Sequence, residues 1–158
     1  MQNLLIHQYQ LIKESRAVVF QFLESKVRDD IFLPVASFND KSIRYMLIHV
    51  ANTYLAWVKN FAFGGNKAYF VEEEIADIVK LRGIFLEVDG FMDDFCRKYA
   101  EYPFKPVNGY KWPDKYIETD GYSIFTHVIT HEFHHKGQSM TMSRLLGHIP
   151  VDTDVMRF

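Results

Sequence analysis

Apolar positions recur every three to four residues over four stretches of the chain, each bracketed by residues that start or stop helices. The first stretch runs from about Leu4 to Lys26, with Leu5, Tyr9, Ile12, Val19 and Leu23 on one stripe that Arg16 interrupts. The second begins near Asp40 or Ser42, both good N-cap types, carries Ile43, Met46, Val50, Tyr54, Trp57 and Phe61, and stops at Gly64-Gly65. The third is placed from Val71 to about Tyr99, because Glu72, Glu73 and Glu74 suit the positive end of a helix dipole. Gly83 and Gly90 lie inside it and weaken its continuity. The fourth runs from about Tyr122 to Leu146 and ends at Gly147, with Pro150 just beyond and a short tail, Val151 to Phe158, closing the chain.

Between these stretches the pattern lapses. Asp29 to Phe38, with Pro34, reads as a connection. Glu101 to Asp120 holds Pro103, Pro106, Gly109 and Pro113 and reads as a long loop bearing Tyr102, Phe104, Tyr110, Trp112 and Tyr116. A loop of that length in a compact domain is often functional. With no repeat and no low-complexity linker, residues 1–158 are read as a single domain. Four helices without a convincing strand pattern predict an all-α fold, a four-helix bundle.

Composition narrows the function. At 48% hydrophobic, the 158 residues can bury a substantial core. A formal charge of −2 and no clustering of Lys and Arg speak against nucleic acid or an anionic membrane surface as partner. Cys96 is the only cysteine, which excludes an intrachain disulfide and a Cys-rich metal site. Met1 to Gln8 lacks a basic region followed by a long apolar run, and no stretch has the roughly 18 apolar residues of a membrane span. The expected setting is the cytoplasm.

The histidines carry the chemistry. Four of the seven histidines fall between His127 and His135, all on the fourth helix. On a helical wheel with His127 at zero, His131 lies at about 40°, His135 at about 80° and Gln138 at about 20°. Ile124, Val128, Met142, Leu145 and Leu146 fall in the same arc, so the histidines are expected to point inward. Lys136, Arg144, Thr126 and Thr130 fall outside it and are expected to face solvent. Buried imidazoles need partners, since an unsatisfied buried polar group costs roughly 1–3 kcal/mol. A divalent cation meets that need, and His131 with His135, four residues apart, has the chelating spacing of helical zinc sites. His127 with His131 has the same spacing, and His134 is open to several roles. A lone histidine on such a face is ordinarily a core or surface residue, and so His7 and His148 are read. His49, bordering the second helix's buried stripe beside Met46, Thr53 and Trp57, is the best candidate for a third ligand. His131-Glu132-Phe133-His134-His135 also matches the His-Glu-x-x-His string of zinc proteases literally, but no further ligand follows in a typical place.

His127-Val128-Ile129-Thr130-His131-Glu132-Phe133-His134-His135-Lys136-Gly137-Gln138 resembles the fourth-helix pattern of the DinB-like (DinB/YfiT) superfamily of metal-dependent four-helix-bundle proteins. Lys136 stands where the pattern usually has Arg. Leu145 to Pro150 with Asp152 and Asp154 is similar to that family's closing segment, and Ile43 to Ala51 to its second-helix ligand region. The resemblance implies an up-down-down-up bundle, a homodimer, and a metal triad of His49, His131 and His135 holding zinc or nickel.

Three neutral ligands would leave a coordination position open, as in catalytic zinc sites. The leading expectation is a thiol S-transferase using a low-molecular-weight thiol and an electrophilic small molecule, with Trp57, Tyr110 and Trp112 as candidate lining of the entrance. The alternatives are a non-catalytic metal-binding stress or interaction protein, and a metal-dependent hydrolase using Glu132 or a metal-bound hydroxide.

Overall fold

The computed structural model describes residues 3–157. Helix α1 spans Leu4–Phe22, and the Asn3 side chain accepts the backbone N–H groups of Leu5 and Ile6 at its start. It runs on into a π-helical turn, Leu23–Val27, and 3-10 turns then lead to α2. Helix α2 spans Ile43–Tyr54, with Ser42 accepting from the Tyr45 N–H, and widens into a π-helical stretch, Leu55–Ala62. Gly64, at φ 66°, then takes the left-handed backbone conformation as the chain turns away.

Helix α3 spans Ile78–Lys98, seven residues shorter at its start than the sequence pattern suggested. Asp77 caps it by accepting from the Lys80 N–H, which is a stronger start signal than the three glutamates upstream. Those glutamates form a separate 3-10 turn, where Glu72 is drawn to Arg44 at 3.0 Å and accepts from Ser42 Oγ at 3.2 Å. Gly83 and Gly90 do not interrupt the helix.

The expected up-down-down-up bundle with a long loop between the third and fourth helices is overturned. The described residues form four helices together with a two-stranded antiparallel sheet, and this layout of helices and connections does not match that bundle. Strand β1, Pro106–Trp112, pairs with β2, Lys115–Asp120, from Pro106 opposite Asp120 to Trp112 opposite Lys115. The prolines that argued for a loop sit where a ribbon tolerates them: Pro106 opens a strand and Pro113 lies in the turn. Val107, Tyr110 and Trp112 on β1 and Tyr116, Ile117 and Thr119 on β2 are strand formers.

Helix α4, Gly121–Leu145, follows the hairpin directly, capped by Asp120 accepting from the Ser123 N–H. A β-carbon at Gly121 would collide with the Tyr99 ring, so the junction of hairpin and helix requires glycine.

The buried face of α4 is not the one the hydrophobic pattern suggested. Ile124, Phe125, Val128, Ile129, Glu132, Lys136, Ser139, Met140, Met142 and Ser143 are buried, an arc centred about 140° from His127. His131 and His135 are half-buried on its border, His127 and His134 are exposed, and Leu145 is 58% exposed. Lys136, expected in solvent, is 9% exposed and donates to Ser15 Oγ at 3.0 Å and the Thr153 carbonyl at 2.6 Å. The inward face contains four polar side chains that are hydrogen-bonded, and an arc drawn from hydrophobicity alone rotates away from them.

Arg16, the apparent break in the α1 stripe, is 5% exposed. Its guanidinium binds both Glu132 oxygens at 2.7 and 2.9 Å and Asp89 Oδ1 at 2.6 Å. Tyr54 OH donates to Glu132 at 2.6 Å and Tyr9 OH to Asp89 at 2.6 Å. The network thus draws one or two residues from every helix into the centre of the core.

Candidate metal centre

Helices α2 and α4 make the most extensive helix-to-helix contact of the fold. Along α2 and its π-helical continuation, Tyr45, His49, Thr53 and Trp57 follow one another at intervals of four residues, as do His127, His131 and His135 on α4. Residues at this interval share a helix face. The two rows meet antiparallel: Trp57 lies against His127, Thr53 against His131, and His49 against His131 and His135.

This register brings His49, His131 and His135 together. Their ring centroids are 5.0, 4.7 and 4.4 Å apart, and one nitrogen from each ring lies within 4.8 Å of the others. Burial lowers the pKa of His49 and of His135. His131 is pushed down to about 4, first by burial and then by the charges its neighbours His135 and His49 would carry. The three imidazoles are therefore neutral near pH 7, the state in which each offers a lone pair.

The surroundings fit a cation. Gln138 Oε1 lies 2.6 Å from His135 Nδ1 and takes its N–H, which leaves Nε2 free to act as ligand. Thr53 donates to the His49 carbonyl at 3.0 Å and lies 2.9 Å from His131 Nε2, so one hydroxyl ties the backbone of one candidate ligand to the ring of another. Tyr45 stacks parallel on His49 at 6.2 Å. Donor set, protonation state and outer contacts together suit a divalent transition metal.

A comparison with protein-family models matches the DinB family over residues 1–158. The chain belongs to the DinB family. Among curated proteins no match was found. Membership agrees with the resemblance carried by the α4 motif, and it covers the whole chain rather than that motif alone.

Within this DinB-family site, the literal His-Glu-x-x-His string does not act as a unit. Glu132 turns into the core, away from the cluster, with both oxygens held by Arg16 and Tyr54. A carboxylate so committed cannot serve as a base at the histidines, which removes the protease reading and Glu132 as the base of a hydrolase. His127 approaches His131 at 5.8 Å and packs on Trp57 at 5.0 Å, and His134 lies 4.8 Å from His135; neither joins the cluster of three. His148 instead bonds Asp30 at 2.7 Å. Trp57 does stand beside the site, whereas Tyr110 packs on Tyr116 and lines a neighbouring surface cleft with Phe61, Asn60 and Lys111. Tyr45, which stacks on His49, and Lys111, next to Trp57 and His127, were missed in the sequence. Tyr45 was detectable from its four-residue spacing to His49; Lys111 carried no local signal. No helix among the described residues is long and apolar enough to cross a membrane.

Proposed function

We propose that His49, His131 and His135 hold zinc or nickel and that the protein is a metal-dependent thiol S-transferase acting with a low-molecular-weight thiol. The observation that supports this most is the convergence of three neutral ring nitrogens with no carboxylate among them. Such a ligand set leaves the charge of a divalent ion uncompensated and a position open to a further ligand. When bound, that ion supplies the Lewis acidity that keeps a thiol deprotonated at neutral pH.

The chain's own side chains account for the rest. Gln138 orients His135, and Thr53 joins the His49 backbone to the His131 ring. Tyr45 and Trp57 form apolar walls at the two ends of the row on α2. In the transfer, the thiolate sulfur attacks an electrophilic carbon, the new carbon–sulfur bond forms, and the leaving group departs with the electron pair of the bond it breaks.

Elemental analysis combined with conjugation of a small thiol to chlorodinitrobenzene tests this. Purified protein should carry about one ion per chain, and a His49→Ala/His135→Ala variant should carry none. Stripping the metal should abolish the thiol conjugation, and full activity in the stripped protein would sink the reading. Metal retained with no turnover on any thiol–electrophile pair would favour a non-catalytic metal-binding protein instead.

A further inference from the structure

Next to Trp57 and His127, one step beyond the three histidines, stands a cation that no carboxylate neutralises. Lys111 lies where the pairing of β1 with β2 slips: Tyr110 faces Tyr116, Trp112 faces Lys115, and Lys111 between them has no partner residue. An extra residue in one strand bends the ribbon and re-aims its side chain. Here the ammonium sits 5.1 Å from the ring centroid of Trp57 and 5.1 Å from that of Trp112.

Other partly buried lysines of the fold have oxygen partners. Lys136 donates to Ser15 and Thr153, and Lys13 pairs with Asp93 at 3.6 Å. Lys111 is half-buried, yet among the described residues no carboxylate lies within ion-pair distance of it and its ammonium makes no hydrogen bond. Burial accordingly lowers its pKa. Contacts with two indole faces compensate a desolvated ammonium only in part, by about 0.5–2 kcal/mol. Its position is equally specific. Trp57 bridges it to His127, and His127 leads to His131. A charge held between aromatic walls also acts on an incoming anion more strongly than one in open water.

We propose that Lys111, aimed by the β-bulge and flanked by Trp57 and Trp112, is a carboxylate-recognising subsite of the three-histidine centre, selecting small-molecule substrates that carry a negatively charged group. The assignment of a substrate role rests on the transferase reading above; the anion subsite itself needs only the lysine and the two rings.

Trp57 and Trp112 are the only two tryptophans of the chain, so their emission reports on this spot. Metal-free protein titrated with propionate should show a saturable change in tryptophan fluorescence that Lys111→Gln abolishes and Lys111→Arg retains. On cobalt-substituted protein, mercaptopropionate should bind about tenfold more tightly than mercaptoethanol, read from the sulfur-to-cobalt absorption band. Cysteamine should bind more weakly than either. In Lys111→Gln the preference should shrink below about twofold, whereas Lys115→Gln, which removes an equal charge from the same hairpin, should keep it. Equal unfolding midpoints for the variants would show that the fold is unaffected. The proposal is overturned if propionate gives no saturable signal, if Lys111→Gln keeps the preference, if Lys115→Gln loses it equally, or if inorganic phosphate is taken in place of propionate. Failure to take up cobalt would instead count against the metal reading, and the metal-free titration would still decide the role of Lys111.

Discussion

His131 and Glu132 are neighbours on α4, about 100° apart around the helix, and the fold treats the two sides in opposite ways. On the inner side every charge is answered. Glu132, 6% exposed, accepts from Arg16 and Tyr54, and Arg16 in turn reaches Asp89 and Tyr9. On the outer side three imidazoles converge with only Gln138 and Thr53 as hydrogen-bonding neighbours, and each retains a lone pair. The inner set uses its polarity to hold four helices in one arrangement. The outer set leaves its polarity available to a ligand. Among buried or half-buried polar groups, the unspent ones mark the chemistry.

The contrast can be broken most severely from the inside. Glu132→Ala should strand the buried Arg16 guanidinium and destabilise the protein by about 3–5 kcal/mol, seen as a lower urea midpoint with or without metal. A loss below about 1 kcal/mol would mean that the network is incidental to the fold. His131→Ala should do the reverse. In metal-free protein it should change stability by less than about 1 kcal/mol, while metal affinity, measured by competition with a chromophoric chelator, should fall at least about 100-fold. Equal damage to stability and metal binding would erase the distinction between the two sides. Gln138→Ala sharpens it further, since freeing the His135 ring should weaken metal binding about tenfold and leave folding unchanged.

The gentlest test is pH. The folded pKa of His131, about 4, lies below its ordinary 6.5, so between these values the unfolded chain binds more protons than the folded one. Stability of the metal-free protein should therefore decline as pH falls from about 6.5 towards 4. Denaturation at fixed pH steps should show this slope in the wild type and a shallower one in His131→Asn. An unchanged slope in the variant would mean that the ring is charged in the folded state.

Much of this was legible along the chain because it depends on near neighbours. Helices α1, α2 and α4 begin and end close to where apolar spacing, the Ser42 cap and Gly64 or Gly147 place them, and His131 with His135 is a chelating pair by spacing alone. The hairpin was hidden because prolines that bar a helix are harmless at a strand start and in a turn. The third helix was drawn too long because glutamates favour many helix starts, whereas Asp77 makes the one that forms.

The spans of α1, α2 and α4 and the row of histidines along α4 are written in the chain's local pattern, since they follow from the 3.6-residue repeat and from start and stop residues close by. The assembled fold alone brings His49 to them, turns Glu132 and Lys136 inward, and through a slip in strand pairing sets Lys111 against Trp57. Those outcomes depend on partners far away in the chain: a charge can be buried only when its counter-charge arrives from another helix, and no local pattern records that arrival.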